Sequence, residues 1–292
     1  MRTFDEYIKV SIPLPELQSS VKTYIIDDVL FIDGVLDTQW CKKVIDVTDK
    51  FYTTMKDEYS KNSRDSDRFL TINKDLAELL WFAIKDHLFH YLKSSENVNR
   101  PKTPFGFGVK GLWNPIKINE CFRFNKYLAP SSGFEPHRDS LYVESFNKRS
   151  IYTILIYLND INEDLGGKTV FIEPNINKTD ECPTVKEEIK DGHKITSSIK
   201  PKSGLIAIMC HNRIHSAEPL HSGLKYVIRS DIIFECYERP SNYSSELWKN
   251  NEKFLSSVGM YLDAKRFEMA GNVEKASQYY EKGLAIRQHT YI

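Results

Sequence analysis

The sequence predicts an α+β protein in which a β-rich centre, of the sandwich, jelly-roll or barrel kind, is flanked on both sides by helical segments. Three observations carry this. Between residues 116 and 238, short aromatic or β-branched runs (CFRFNKY, SIYTILIYLND, KTVFIE, HKITSSIK, GLIAIMC and KYVIRSDIIFECYE) alternate with Gly, Pro, Asn and Asp turns, the pattern of strands joined by short connections. Before them, DLAELLWFAIKDHLFHYLK places Leu76, Leu79, Leu80, Ala83 and Leu88 at helical spacing. After Pro240 the composition turns to Ser, Asn, Glu and Lys with apolar residues three and four apart, which predicts helix to the end of the chain.

Taken in order, residues 21–33 (VKTYIIDDVLFID) read as one or two strands, punctuated by Gly34. Asp37 and Thr38 offer caps for a helix running to about residue 55. A polar stretch over 57–73 precedes the second helix, and Pro101, Pro104 and Pro115 with three glycines then break regular structure. This gives an N-terminal strand and helix region over 1–115 packed on the core, a β core over 116–240 and a C-terminal helical hairpin over 241–292. Within the hairpin, Ala264, Phe267, Gly271, Ala276, Tyr280 and Gly283 resemble the small and large positions of a single tetratricopeptide unit. A lone repeat cannot bury its own apolar face, so the expectation is a hairpin packed on the β core, with a docking arm as the alternative.

Composition excludes several classes. With 40 basic and 40 acidic residues and a pI near 7.1, no electrostatic case exists for a nucleic-acid or anionic-membrane partner. The longest apolar runs, 79–84 and 205–210, fall far short of the roughly 20 residues that span a bilayer. Asp5, Glu6 and Lys9 interrupt the window where a signal peptide needs an apolar core. The five cysteines form no CxxC, so reduced thiols and a cytoplasmic location are expected.

Several motifs fail on context. Gly106, Gly108 and Gly111 spell GxGxxG, but prolines on both sides deny it the strand and helix a dinucleotide site requires. The triplets at Asn177 and Asn242 match a glycosylation signal that a cytosolic chain does not use. His87 and His90 share a helix face without a carboxylate to complete a site. What survives is Pro136-His137-Arg138-Asp139, which holds the chain's only HxD. Strand alternation sends His137 and Asp139 to one side. Downstream, Lys225, Val227 and Arg229 take one face of a strand whose other face is Leu224, Tyr226 and Ile228. Two cations inside a β-rich core need an anion, and a ligand can supply it. Two His and one carboxylate on separate strands form a facial triad suited to non-haem Fe(II).

At these residues the sequence resembles the Fe(II)- and 2-oxoglutarate-dependent dioxygenases of the prolyl 4-hydroxylase-like branch. The resemblance spans about residues 20–238 and rests on six ordered blocks: NECFRFNKY, GFEPHRD, TILIYLND, GGKTVF, KPKSG and HSAEPLHSGLKYVIRSDIIF. It implies a double-stranded β-helix core, jelly-roll and cupin-like, with N-terminal helices and a C-terminal helical hairpin. It implies iron ligation by His137, Asp139 and His215, the last chosen over His211 and His221 because the family places it ten residues ahead of a basic residue, here Lys225. Lys225 or Arg229 would clamp the distal carboxylate of 2-oxoglutarate, and Tyr127 and Tyr157 would bond the cosubstrate or line its pocket. Plain core aromatics are the alternative for both tyrosines. Arg68 would face substrate, with a surface salt bridge as its alternative, and Gly166 and Gly167 are assigned to a turn.

The implied cofactors are Fe(II), 2-oxoglutarate and O2, with ascorbate as an accessory reductant. The implied reaction hydroxylates a C–H bond, with succinate and CO2 as coproducts. The branch favours a prolyl residue in a peptide or protein; a free amino acid or other small molecule, and an inert scaffold that binds a partner through the C-terminal helices, are the competing readings. The segments 140–150 and 172–199 flank the site and could serve as binding loops. The second is rich in Lys and Glu and equally suits a solvated hairpin.

Overall fold

The computed structural model describes residues 8–54, 64–93, 101–104, 109–145, 147–175, 185–190, 192–238, 251–269 and 272–288. Gly106, Gly108, Gly271, Cys182 and the triplets at Asn177 and Asn242 lie outside them.

Residues 21–33 form a hairpin, β1 (Lys22–Ile26) and β2 (Val29–Asp33), in which Lys22 stands opposite Asp33 and Ile26 opposite Val29. Helix α1 (Thr38–Thr48) starts where its cap predicts, since the Asp37 side chain accepts from the Gln39 backbone N–H. It stops at Thr48 instead of near 55. There the Thr48 hydroxyl donates back to the Val44 carbonyl at 2.7 Å, and the Asp49 carboxylate accepts from Lys126 and Tyr226 of the sheet at 2.6 and 2.7 Å. Two strands follow, β3 (Thr53–Thr54) and, within the polar stretch, β4 (Asp67–Ile72), which pairs along the large sheet. Helix α2 (Lys74–Lys93) matches its periodicity and buries Leu76, Leu80, Ile84 and Leu88 on one face. His87 and His90 lie on this helix, away from any group of metal-ligating residues found among those described.

The β centre continues as β5 (Leu112–Ile118), β6 (Cys121–Leu128), β7 (Phe134–His137), β8 (Val143–Ser145), β9 (Lys148–Tyr157) and β10 (Thr169–Pro174). A short helix α3 (Val185–Ile189) then precedes β11 (His193–Ile199), β12 (Ile206–Cys210), β13 (His215–Ala217) and β14 (Leu224–Glu238). They build two sheets. The large one runs β1-β2-β12-β9-β14-β6-β4-β3, with β5 on β14 and β8 on β9; the small one runs β11-β10-β13-β7. All pairings are antiparallel. Such a two-sheet arrangement, in which consecutive strands cross between sheets, is a jelly roll, the double-stranded β-helix expected from the sequence.

Alternation along β14 sorts the interior. Tyr226, Ile228, Ile232 and Phe234 point to the outer face, into the main core with Trp40, Val44, Leu76, Leu80, Leu88 and Tyr152 of the helices and neighbouring strands. Val227 points inward, between the sheets, with Phe31, Leu155, Tyr157, Phe171 and Ala207. The outer layer fixes the large sheet, leaving its inner face to carry chemistry.

The described residues of 172–199 fall mainly in β10, α3 and β11, and β10 pairs with β11. At the far end, α4 (Glu252–Met269) and α5 (Val273–Gln288) form the expected hairpin, closed by Phe267 on Tyr279 and Tyr261 on Tyr280, with Ala264 and Ala276 buried. Gly283 sits 3.4 Å, measured from a built Cβ, from Met260, the small-residue approach of a helical pair. Among the described residues no helix is long and apolar enough to cross a membrane.

Candidate metal centre

His137 ends β7 and His215 opens β13, and the two strands pair so that these residues stand directly opposite one another. The approach depends on Gly133, whose φ is +81° and whose added Cβ would fall 2.2 Å from the Ala217 carbonyl oxygen. Asp139 follows two residues after His137, held by its backbone N–H on the His211 carbonyl at 3.1 Å. One ligand atom from each of His137, Asp139 and His215 lies within 4.8 Å of the other two. His215 Nε2 is 3.7 Å from Asp139 Oδ2.

Each imidazole is oriented from behind. Nδ1 of His137 faces the Glu135 carbonyl at 2.8 Å, and Nδ1 of His215 faces the Arg213 carbonyl at 3.0 Å. A carbonyl only accepts, so each Nδ1 carries the proton and each Nε2 presents a bare lone pair. Burial, followed by the neighbouring His215, pushes His137 down to about 3, and burial likewise lowers His215. Burial alone would raise Asp139, but Arg229 and the three surrounding imidazoles outweigh it and hold the carboxyl well below the usual range. Two neutral imidazoles and one carboxylate are the donor set that a divalent first-row cation takes, and three protein ligands leave positions open for other groups. The residues fit iron.

Behind Asp139 lies a polar network that sequence reasoning missed. Arg229 Nε is 3.0 Å from Asp139 Oδ1, and its Nη2 reaches Asp231 Oδ1 at 3.1 Å. Asp231 also accepts from Arg123 at 3.0 Å and from the Asn119 amide at 3.2 Å. The Thr153 hydroxyl donates to Asp139 Oδ2 at 2.5 Å, and the His211 ring bridges Thr153, at 2.9 Å, to Ser150, at 2.7 Å. His211 is therefore placed behind the centre, and His215 is the histidine brought to His137 and Asp139. The signal was available in the period of two, which sets Asp231 on the face of Lys225 and Arg229, and Thr153 on that of Tyr157.

Lys225 has a different environment. Its side chain is only 2% exposed, its Nζ donates to the Gly167 carbonyl at 2.6 Å, and it lies over the Tyr127 and Tyr157 rings at 5.2 and 6.0 Å. No salt bridge to it is found among the described residues. Burial pushes its ammonium down to about 7, with Glu218 opposing from a distance. Gly167, read as a turn, thus also supplies a carbonyl to this cation. Tyr157 donates to the Thr169 hydroxyl at 2.8 Å, and burial raises both tyrosines.

Arg68 lies on β4 in register with Asn125 of β6. Arg64, which the sequence did not single out, approaches the metal ligands through Phe134: its guanidinium sits 4.9 Å above the Phe134 ring, which itself stacks on His137 at 3.7 Å. It also hydrogen-bonds Ser66 at 2.9 Å and the Asn125 side chain.

No curated protein matches the chain. Among solved structures, the viral collagen prolyl hydroxylase vCPH from Paramecium Bursaria Chlorella virus-1 is 18% identical with a TM-score of 0.40, covering 72% of this chain and 97% of its own. A Pseudomonas putida prolyl-4-hydroxylase is 11% identical with a TM-score of 0.39, covering 70% and 89%. The non-heme alpha ketoglutarate dependent carbocyclase SnoK from nogalamycin biosynthesis is 11% identical with a TM-score of 0.45, covering 75% and 85%. Residues 122–230, which contain His137, Asp139, His215, Lys225 and Arg229, match the family model of the 2OG-Fe(II) oxygenase superfamily.

Proposed function

We propose that the protein is an Fe(II)- and 2-oxoglutarate-dependent dioxygenase that hydroxylates a prolyl residue of a peptide or protein. The observation that carries the cosubstrate assignment is Lys225: a buried ammonium whose close contacts are a carbonyl and two aromatic rings, on the same inward face of β14 as the arginine that grips Asp139. Keeping a cation there is costly unless an anion completes it, and the distal carboxylate of 2-oxoglutarate supplies that charge.

In this reading His137, Asp139 and His215 would hold iron. Iron bound there would supply the chemistry of oxidative decarboxylation of 2-oxoglutarate to succinate and CO2 coupled to hydroxylation of a substrate C–H bond. The chain's own residues orient and shield. Arg229 and Thr153 each hold one carboxylate oxygen of Asp139, which fixes its plane. Lys225 anchors the cosubstrate, Tyr127 and Tyr157 wall its site, and Phe134 covers one face of His137 against water. Arg68 stands as a substrate contact on the inner face. The prolyl residue follows from the six ordered sequence blocks.

The test is succinate formation by purified protein with Fe(II), 2-oxoglutarate and ascorbate, in the presence of proline-containing peptides, with mass spectrometry of the peptide. Coupled succinate release and a peptide gain of one oxygen on proline is the expected result. Stimulation by free amino acids and by no peptide would move the substrate to a small molecule. Absence of any iron-dependent turnover would leave an inert scaffold.

A further inference from the structure

Arg138, between the two HxD ligands, must point away from the metal, because His137 and Asp139 point toward it. Its guanidinium is caught on that outer side by Glu188 of α3, with Nη1 to Oε1 at 2.8 Å and Nη2 to Oε2 at 2.6 Å. Both side chains are mostly buried, at 15% and 16% exposure, so the pair is a shielded bidentate fork. Nε of the same guanidinium donates to the Asn212 carbonyl at 3.2 Å. Asn212 sits between the two carbonyls that orient the other ligands, since His211 O holds the Asp139 N–H and Arg213 O faces His215 Nδ1. Helix α3 is itself seated: Val185 and Ile189 pack with Val170, Ile172 and Ile214, the last adjacent to His215.

We propose that Glu188 is a positioning residue for the metal ligands, acting through Arg138, so that the excursion between β10 and β11 braces the metal centre from behind. This rests on the metal reading above. The HxD turn has short pairing of its own, because β7 is four residues long and β13 three. The fork joins that turn to the 211–213 turn and to α3 at once. Without the Glu188 carboxylate, Arg138 keeps only the Asn212 carbonyl among the contacts described above, and the HxD turn loses its tie to α3. The neighbouring Lys186–Glu135 pair, 3.2 Å apart with Lys186 75% exposed, lacks this shielding.

The experiment titrates Co(II) anaerobically into full-length protein and reads both Kd and the visible d–d spectrum, for wild type, Glu188→Ala, Glu188→Gln, Lys186→Ala and Val185→Ala. Supporting contacts of this kind are worth roughly 10- to 100-fold in metal affinity. Glu188→Ala is expected to weaken Co(II) by that range and shift the d–d bands, Glu188→Gln to lose less, and Lys186→Ala to stay within about twofold. Val185→Ala, which thins the packing under α3 and leaves the fork, is expected to lower Tm without changing the spectrum. Glu188→Ala and Glu188→Gln both binding Co(II) as wild type does would overturn the proposal while leaving the metal reading intact. Val185→Ala losing as much affinity and shifting the bands equally would overturn it too, by making the effect one of general loosening. Wild type failing to bind Co(II) would remove the metal reading itself.

Discussion

Lys225 and Arg229 stand four residues apart on the inward face of one strand, yet the protein treats them in opposite ways. Arg229 is neutralised by Asp139 and Asp231, and Asp231 is shared with Arg123. Lys225 is more deeply buried, at 2% exposure against 16% for the Arg229 side chain, and meets a carbonyl and two rings. On the proposed reading the metal end of the interior is finished by protein groups, whereas the other end would be finished by the cosubstrate carboxylate, which would put stability at one end and ligand specificity at the other.

The sharpest way to break this comparison is to remove the shared acid. Asp231→Ala leaves Arg123 and Arg229 buried with their charge balance lost, and is expected to cost about 3–5 kcal/mol in urea unfolding. Lys225→Met is expected to do the reverse. With no carboxylate stranded, the free protein should unfold at equal or higher urea, while 2-oxoglutarate binds roughly 100-fold more weakly, a loss of about 2–3 kcal/mol for a charge-assisted contact. A Lys225→Met protein as destabilised as Asp231→Ala would show the two ends to be alike.

A pH series sharpens the same contrast. In the free protein Lys225 titrates at about 7 against 10.5 for an ordinary lysine. Above that point it is neutral, and binding a carboxylate must take up a proton. The Kd for 2-oxoglutarate is therefore expected to rise with pH above about 7, by up to about tenfold per unit, and to be flat with respect to this group below. Between about 7 and 10.5 the unfolded chain holds the extra proton, so this lysine makes the free protein more stable as pH rises through that window. Both slopes should vanish in Lys225→Met, as read by calorimetry and urea unfolding. The smallest effect is Tyr157→Phe, which removes the bond to Thr169 and is expected to cost about 1 kcal/mol of stability.

How much of this was legible in the sequence divides along physical lines. Strands buried on both faces, such as β9 and β14, read as near-continuous runs of β-branched and aromatic residues, and the helix α2 shows its apolar stripe, so these elements could be read directly. Strand β4 could not. Its inward face carries Arg68, and its polar composition hides a strand that pairs with β6 along its whole length. Helix α3 is five residues long, too short to show a period. The end of α1 is set by Asp49 reaching Lys126 and Tyr226, partners about 80 and 180 residues away that no local window contains.

The same distinction holds at the site. His137 and Asp139 were read from their HxD motif and His215 from the family resemblance, and the fold brings the three together. Which of Lys225 and Arg229 has its anion within the protein was not readable. The answer depends on Asp139 and Asp231 being folded against Arg229, a long-range fact. Arg64 escaped for a related reason: it reaches Phe134 by an isolated bridge between segments 70 residues apart.

The most direct test is anaerobic addition of Fe(II) and then 2-oxoglutarate to wild type, His137→Ala and Lys225→Met, following the visible metal-to-cosubstrate charge-transfer band. The account predicts a band in wild type, none in His137→Ala at any cosubstrate concentration, and in Lys225→Met a band that reappears only at roughly 100-fold higher 2-oxoglutarate. A well-folded wild type with no band at saturating iron and cosubstrate, or a Lys225→Met protein that titrates like wild type, would contradict it.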